Sequence, residues 1–514
     1  MERSLIALYF SEYAVGIGHG RRVIKTDVDE ITVDNVLSVL NKALTTHYLN
    51  KTDMEYLYAE YKGKQAILNR VKEVRPEICN KIVENRYAEI VDFKVGYLVG
   101  EPLQYVARLH GQGDEKVLKE VERLNDFMVD RDKDTEDTDL AEWFHEVGTA
   151  YRMVLPVPHE VEDGEAPFEI YTLDPRYAFV VYYSGLGNKP MMGVKYVTRE
   201  DGVTVYSCYT VDQYFEIADG SMVAHDYHEL GGIPIVEYPM NRARVGAAEM
   251  VLPLLDAINL VDSNRIDGVE QFVQALLKFH NVDISEEDYE KFRQEGAIKY
   301  RDADVNMKAE VEYITNELRQ GETQVLVDHL YEVVLTICGM PNRNGGSSTS
   351  DTGSAVIMRD GWSAAEARAK SSERMFRKPE KAFLRVVLNI CNTVSGMDLK
   401  LSDIGIRFTR RNYENILQKS QVLTSMLANP KIAPRLAFVH CGMFAAPDEA
   451  YRESLKYEQE QEVKALKEAA QQHEVSTDTG TIGADKPDSG EAASSGTSSG
   501  KRGSADRGGQ QDSA

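Results

Sequence analysis

The chain has 514 residues, enough for about three domains of ordinary size, and 42% of them are apolar, which is enough for a buried core in each. Its formal net charge of −24 argues against a protein that grips nucleic acid from outside, because phosphate binding is driven by lysine and arginine. An acidic protein can still surround DNA without adhering to it.

The sequence carries no sign of a disulfide framework, a zinc site or a membrane segment. Its five cysteines lie far apart without a CxxC pair, so we expect a reducing compartment. The first residues, MERSLIALYFSEYAVG, lack a basic region and are interrupted by Ser, Glu and Tyr, so we expect no signal peptide. Because no apolar run approaches the ~18 residues of a membrane span, we expect a soluble cytoplasmic product.

The first part of the chain predicts helices and then strands. Apolar residues recur at helical spacing over residues 33–106, and the run Gly96-Tyr97-Leu98-Val99-Gly100-Glu101-Pro102 predicts a helix end and a change of chain direction. An acidic connector follows at residues 130–139, where Asp139 and Glu142 predict the N-cap and capping box of the next helix. Residues 151–239 contain short β-rich runs separated by turns, which predict an antiparallel meander.

The middle of the chain predicts two helices around a small mixed unit. Helical spacing over residues 251–279 predicts a helix about 40 Å long, if Pro253 begins it. Residues 280–315 predict a helix near Ser285 and two short strands, AIKY and EVEYI. A second helix is predicted over residues 322–338, ended by Gly339 and Pro341.

A loop, a long helix and a polar tail are predicted next. Residues 342–354, NRNGGSSTSDTGS, contain no large apolar residue and predict a flexible loop. One apolar stripe then continues from Met358 to Val394 through Pro379, which predicts one long kinked helix. Further helices are predicted over residues 413–428 and 448–473. The tail beyond about Ser476 cannot offset its own ordering entropy, so we expect it to be disordered.

Four segments, taken in this order, resemble a known family. They are NRYAEIVDFKVGYLVGEPLQYV at residues 85–106, GIPIVE at 232–237, PLLDAIN at 253–259 and TGSA at 352–355. Together with the order helix, small unit, helix, Gly/Ser loop and long helix, they resemble the portal proteins of tailed double-stranded DNA bacteriophages. The resemblance is to the long-tailed type that infects Gram-positive bacteria, and it covers residues 56–458.

The resemblance implies an α+β, predominantly helical fold with wing, stem, clip and crown parts in a ring oligomer. It divides the chain into N-terminal helices and a wing β-domain (1–244), a first stem helix (245–279), a clip (280–318), a second stem helix (319–339), a tunnel loop (340–354), a long kinked wing helix (355–400), crown helices (401–475) and a disordered tail (476–514).

The resemblance also implies a function. A ring of, typically, twelve subunits would occupy one capsid vertex, and double-stranded DNA would pass through it without sequence specificity during packaging by the terminase and later during ejection. The implied partners are the large terminase subunit, head-completion and tail proteins, and the major capsid and scaffold proteins, with no membrane. The protein would reside in the virion and, during assembly, in the host cytoplasm. No catalytic, cofactor or metal site is implied.

One face of the first predicted stem helix is polar. It carries Asp256, Ser263, Asp267, Glu270 and Gln274, which lie close together at 100° per residue. Repeated around a ring, the carboxylates would repel the phosphate backbone and so disfavour contacts that stall DNA. We therefore expect part of this stripe to face the channel or a neighbouring stem; the alternative is the solvated face of an amphipathic helix.

The predicted loop and clip supply two further candidate sites. In the loop, phosphates could be touched without base specificity by Asn342, Arg343, Asn344, Ser347, Ser348 and Thr349. The alternative for these residues is an ordinary surface linker. In the clip, the terminase and adaptors would dock through basic surfaces on the acidic segment that contains Glu286, Glu287, Asp288 and Tyr289.

Two other classes of protein are left open by the residues. An acidic, soluble metal-dependent hydrolase or nuclease could use scattered carboxylates such as Asp283, Glu286, Glu287 and Asp288, although no spacing in the sequence defines such a site. A monomeric adaptor could bind partners through its helices and tail. A portal would form a large ring, whereas both alternatives would give small species.

Overall fold

The computed structural model describes residues 20–108, 114–162, 164–273, 276–280, 282–283, 285–287, 290, 301–302, 310–314, 320–342, 361–409, 416–444 and 447–477. The helices within these ranges are α1 (Val36–Tyr61), α2 (Arg86–Val99), α3 (Asp114–Asp130), α4 (Lys133–Glu146), α5 (Leu252–Val273), α6 (Gln320–Cys338), α7 (Trp362–Val394), α8 (Ile416–Leu427), α9 (Pro434–Cys441) and α10 (Pro447–Thr477). The strands are β1 (Lys25–Thr26), β2 (Gln104–Ala107), β3 (Thr149–Pro156), β4 (Phe168–Leu173), β5 (Ala178–Tyr183), β6 (Pro190–Thr198), β7 (Thr204–Tyr209), β8 (Gln213–Ala218), β9 (Ser221–Tyr227), β10 (Ile235–Pro239), β11 (Leu276–His280), β12 (Val282–Asp283), β13 (Arg301–Asp302), β14 (Glu310–Ile314) and β15 (Ile404–Arg407).

The strands between residues 149 and 239 form two sheets. The predicted antiparallel meander is confirmed for β5 to β9, which pair in sequence order with β1 added in parallel at the β5 edge. It is wrong for β3 and β4, which form a separate sheet in the order β10-β3-β4. In that sheet Ile235 pairs with Met153 and Tyr151 with Leu173. The pairing of β10 with β3 joins residues more than 80 positions apart, so the local pattern could not indicate it.

The helix predicted to begin at Asp139 begins earlier. Helix α4 starts at Lys133, directly after Asp132, which adopts a left-handed conformation with φ of 46°. Residues that had been expected to form an acidic connector are therefore helical. Two local effects favour this: Asp134 and Glu136 lie in the first turn, where the helix dipole stabilises negative charge, and Lys133 pairs with Asp137 one turn later.

The first predicted stem helix ends sooner than expected. Helix α5 stops at Val273 and is about 33 Å long, and Leu276–His280 forms β11 instead of a last helical turn. This strand pairs antiparallel with β14, so that Leu276 lies opposite Ile314 and His280 opposite Glu310. The predicted strand EVEYI is confirmed as β14, while AIKY, residues 297–300, lies outside the described residues.

Two cores hold the body together. In the larger one, aromatic side chains from α3, α4, β4 and α7 meet at zero to one per cent exposure: Phe127, Phe144, Phe168, Phe376 and Phe383. In the smaller one, α1 packs on the six-stranded sheet through Leu40, Phe179, Val194 and Phe215. The prediction that one helix continues through Pro379 is confirmed, because α7 spans 33 residues with the proline inside it. The buried side chains of Phe376 and Phe383 flank the proline and explain the continuity.

A buried ionic network fixes α7 to the small sheet and to α4. The Glu380 carboxylate accepts hydrogen bonds from the hydroxyls of Tyr105 (2.5 Å) and Tyr238 (2.7 Å). It also lies 3.1 Å from Lys133 Nζ and 3.5 Å from Arg152 Nη1. Burial alone would raise the pKa of Glu380, but the charges of Lys133 and Arg152 and the two tyrosine hydroxyls lower it to about 2. Glu380 is therefore charged, and completely covered by protein.

The network is closed by a second carboxylate. Asp137 lies 2.7 Å from Lys133 Nζ and 2.6 Å from Arg152 Nη2, so two cations face two anions. Burying one charge without a partner would cost several kcal/mol, whereas a balanced set with satisfied hydrogen bonds is tolerated. The four charges therefore specify how α4, α7 and β3 are placed relative to one another.

Replacing Glu380 by Gln should lower the free energy of unfolding by about 3–5 kcal/mol, because Lys133 and Arg152 would then face Asp137 alone in a buried site. Urea-induced unfolding followed by circular dichroism measures the loss. Glu366→Gln on the same helix is the matched control: Glu366 pairs with Lys370 near the surface, so its loss should be below about 1 kcal/mol. Equal losses for the two variants would contradict the assigned role of the network.

Candidate channel elements

Helices α5 and α6 form the two arms of one hairpin. They pack against each other, and the chain between them contains β11 and β14, paired antiparallel, and β12 and β13, also paired antiparallel. The two helices together carry seven carboxylates but only one lysine or arginine, Arg265. Such a hairpin is a candidate wall for an aqueous passage that repels polyanions.

Helix α6 ends as the sequence predicts. Gly339 has a φ of 64°, its N–H donates to Thr336 O at 3.2 Å, and the N–H of Met340 donates to Leu335 O at 2.8 Å. This is the Schellman arrangement that terminates helices at glycine. On the other side of the predicted loop, α7 follows Gly361, also left-handed with φ of 82°. Both ends of the loop are therefore set by glycines that allow a sharp change of direction.

A segment far earlier in the chain is hydrogen-bonded along α5. We call residues 70–84 the strap. The backbone N–H groups of alternate strap residues donate to α5 side chains one helical turn apart: Asn80 to Asp267 (2.7 Å), Ile82 to Ser263 (2.9 Å) and Glu84 to Asn259 (2.8 Å). Two residues of extended chain advance about 6.6 Å, and four residues of helix advance 6.0 Å. The two spacings agree closely enough for three successive hydrogen bonds, which we call rungs.

Ionic contacts strengthen the Asp267 rung. Asp267 Oδ2 lies 2.9 Å from Arg70 Nη2 and 3.0 Å from Lys72 Nζ, while the Asn80 side-chain amide donates to Asp267 and to Glu270, at 2.9 Å each. Burial alone would raise the pKa of Asp267, but the hydrogen bonds from Asn80 and the two neighbouring cations lower it. The carboxylate is therefore charged and is the electrostatic centre of the strap contact.

The polar stripe predicted on this helix has a different environment from the one expected. Ser263 is fully buried and Asp267 is 3% exposed, both covered by the strap of the same chain. The oxygens of these two residues accept strap N–H groups, so neither side chain lies on an exposed face of this chain. Glu270 is half-buried, as is Asp256, and burial raises the pKa of Asp256 to about 6. Gln274 lies outside the described residues.

The structure describes only part of the other candidate sites. Asn342 is half-buried, and its side-chain amide lies 3.5 Å from Glu332 Oε1 on α6. Glu286 and Glu287 are exposed. The remaining loop and clip candidates lie outside the described residues: Arg343, Asn344, Ser347, Ser348, Thr349, Asp288 and Tyr289. The tail predicted to be disordered also falls outside them, from residue 478 onward.

Two residues that matter in the strap contact, Asn259 and Asn80, were not predicted from the sequence. Asn259 lies one turn before Ser263 on the polar face of α5, so its spacing was a usable signal. Asn80 lies in a segment without helical or strand periodicity, and its position 187 residues away from Asp267 in sequence gave no local indication of the contact.

A third set of side chains lies near the start of α5. The Glu249 carboxylate accepts hydrogen bonds from the backbone N–H groups of Gly20 and Gly246, at 2.8 Å each, and lies 2.7 Å from Arg21 Nη2. Glu249 and Arg21 are both buried. They join the first described residues of the chain to the turn that begins α5.

Two other buried carboxyls lie around Tyr87. Burial raises the pKa of Glu60 to about 7 and that of Glu146 to about 8, and both carboxyls interact electrostatically with Tyr87, whose hydroxyl donates to Glu146 O at 2.7 Å. Oε1 of Glu146 has no hydrogen-bond partner in the described part of the chain. At neutral pH the Glu146 carboxyl is therefore mostly protonated.

Within the described residues, no group of three or more His, Cys, Asp and Glu side chains could hold a metal ion. In the same ranges, no helix combines the length and the apolar content that crossing a bilayer requires.

A helical body with an antiparallel β-domain, a helix hairpin and a long helix after a glycine-bounded loop is the layout of a phage portal protein. The chain belongs to the family described as "Phage portal protein, SPP1 Gp6-like", whose model matches residues 41–474. The predicted fold class and the predicted function are thereby confirmed: the chain is a portal, the channel-forming protein of the capsid vertex, in a structural, non-enzymatic family.

Comparison with individual proteins adds distant similarities to solved structures. No curated protein matches the chain. Among solved structures, the chain is similar to one titled "Neck of empty GTA particle computed with C6 symmetry", with 13% sequence identity and a TM-score of 0.37 over 70% of this chain and 90% of that one.

Replacing Asp267 by Ala should release the strap, because two N–H donors of Asn80 and two cations lose their common acceptor. We expect backbone amides of residues 70–84 to exchange with deuterium at least about tenfold faster, as the loss of charge-assisted hydrogen bonds implies. Mass spectrometry of peptides resolves this region from α5. Asp262→Ala removes a neighbouring carboxylate that lies 3.2 Å from Arg265 Nη1 and forms no hydrogen bond with the strap within the described part of the chain, so it should leave the strap unchanged. Unchanged exchange in the Asp267 variant would disprove the assigned contact.

Glu146 should make the protein less stable as the pH rises from about 4.5 to about 8. Its folded pKa of about 8 is higher than the unfolded value of about 4.5, so the folded state binds more protons between these limits, and stability falls as the pH rises through that window. Glu146→Gln should reduce the loss of stability between pH 6 and pH 8.5 by about 2–3 kcal/mol. Denaturant unfolding at both values tests this, with Glu122→Gln, exposed on α3, as the control. A pH dependence that is the same in all three proteins would refute it.

Proposed function

We propose that twelve copies of this chain close into a ring whose central channel passes double-stranded DNA, in a long-tailed phage of Gram-positive bacteria. The observation that supports this is the family match over residues 41–474, together with the α5–α6 hairpin placed as a stem would be. The ring would be assembled in the host cytoplasm with the capsid and scaffold proteins and would then remain in the virion.

The acidic wall of the channel is proposed to come from exposed carboxylates of the stem. On α6, Asp328 and Glu332 are exposed and lie one turn apart on the same face, and neither forms an ion pair with a cation of the described residues. Glu270 is half-buried on α5 and adds to this wall. Repeated around a ring, such charges would repel DNA phosphates at short range and so prevent strong contacts that resist movement.

The loop between α6 and α7 is proposed to be the part of the channel closest to DNA. Residues 343–360 separate the two glycine-bounded helix ends, and the sequence offers Arg343 and several hydroxyl and amide side chains for phosphate contacts without base specificity. The proposed contacts are Asn342, Arg343, Asn344, Ser347, Ser348 and Thr349.

The strands between the stem helices are proposed to form the clip, where the large terminase subunit and later the head-completion adaptors dock. Glu286 and Glu287 are exposed, and Asp288 and Tyr289 follow them in the sequence. This concentration of negative charge would steer partners with basic surfaces.

One experiment tests both the ring and the loop. Purified full-length protein and a variant lacking residues 344–349 are imaged by negative stain and then compared in DNA packaging. Both should form rings with a mass close to twelve times the 57.8 kDa of one chain. Only the loop variant should lose packaging, because the phosphate contacts are lost while the stem and body are unchanged.

A deletion of residues 495–500, which has the same length and a similar Gly/Ser composition, is the matched control and should package normally. Strictly small species under every assembly condition would refute the ring. Normal packaging by the variant without residues 344–349 would refute the loop assignment while leaving the ring intact.

A further inference from the structure

A small cavity lies where the predicted tunnel loop meets the body of the protein. Its walls come from α2, from the end of α4, from Gly339 after α6 and from the first turns of α7, and its volume is about 20 Å³. A space of this size accommodates about one water-sized species. The charged or polar side chains that line it include Lys94, His145, Arg368 and Ser372.

Lys94 brings a positive charge into this cavity without a matching carboxylate. Its Nζ donates to Cys338 O at 2.7 Å, and it forms no ion pair with a carboxylate among the described residues. Arg368 adds a second cation to the wall. Burial and the neighbouring charge of Arg368 lower the pKa of Lys94. A cation removed from water in this way is costly unless an anion accompanies it.

His145 adds an unused hydrogen-bonding group to the same cavity. It is 2% exposed, and neither ring nitrogen has a hydrogen-bond partner within the described part of the chain. Burial and the charge of Lys94 lower the pKa of His145 to about 3, so the ring is neutral and carries one N–H donor at physiological pH. Buried polar groups in folded proteins are nearly always satisfied, so this ring requires an occupant of the cavity.

We propose that the cavity binds one small inorganic anion of halide size, such as chloride, between Lys94, Arg368 and the N–H of His145. Among the described residues, two cationic side chains and a neutral donor line it and no carboxylate does, and its volume suits one water-sized ion better than a phosphate or a nucleotide. The bound anion would connect α2, α4 and α7 at the point where the chain leaves α6. The proposed anion site lies beside the end of α6 and the start of α7, and it does not depend on what the predicted loop contacts.

Anion-dependent stability tests the proposal on the full-length assembled protein. We replace sodium gluconate by sodium chloride at equal ionic strength and measure the change in melting temperature. The increase should be about 1–2 °C larger for the wild type than for Lys94→Met, because only the wild type gains the binding energy of the anion. Lys116→Met is the matched control: Lys116 is an exposed lysine paired with Asp398, and the variant should retain the full wild-type response.

Crystals grown in sodium bromide supply an independent measurement. An anomalous peak should lie within hydrogen-bonding distance of Lys94 Nζ in the wild type and be absent from Lys94→Met, even if that variant is less stable for other reasons. The absence of either the thermal response or the peak in the wild type would overturn the proposal and assign the cavity to water. The proposal would also be overturned if chloride raised the melting temperature only in a variant that carries Asp351→Asn and Asp360→Asn. In that case a carboxylate of the native chain would be the counter-ion of Lys94 and Arg368.

Discussion

The placement of α5 depends on a match between two periodicities. Alternate N–H groups near the C-terminal end of the strap, from Asn80 to Glu84, meet side-chain oxygens spaced one turn apart on α5, those of Asn259, Ser263 and Asp267. The difference of about 0.6 Å per rung accumulates along the contact, so three rungs are accommodated before the donors and acceptors lose register. The charges of Arg70 and Lys72 then add to the last rung. These contacts fix the rotation of α5 about its own axis, because turning the helix would break all three hydrogen bonds together.

A second fixed element determines where α7 lies. Glu380 follows the helix proline directly and is held by two cations and two tyrosine hydroxyls, so the middle of the helix cannot slide along the sheet without exposing unpaired charge. Helix α6 follows α5 in the chain and ends at Gly339, and α7 begins after Gly361. Each of these helix ends is set by a left-handed glycine, which permits a sharp change of chain direction there.

Features set by neighbouring residues were predictable from sequence, and features set by distant pairing were not. The end of α6 at Gly339 and the passage of α7 through Pro379 depend on residues within a few turns, and both were predicted correctly. The run LLKFH fits a helix or a strand equally well, and only its pairing with β14 decides in favour of a strand. The polar face of α5 was identified correctly as a face. Its environment could not be predicted, because a solvated stripe and a stripe that binds a strap have the same spacing.

The carboxylates of this portal fall into two groups with different consequences. Asp137, Glu249, Asp267 and Glu380 are buried and paired with cations, so they determine the fold and contribute little to the external field. Asp328 and Glu332 are exposed on α6, a helix without Lys or Arg, and they belong to the excess that gives the chain its charge of −24. Because the folding contacts neutralise the first group, the electrostatic potential outside the α5–α6 hairpin depends more on the second. Asp328 and Glu332 can therefore change in evolution without altering the contacts that hold α5 in place.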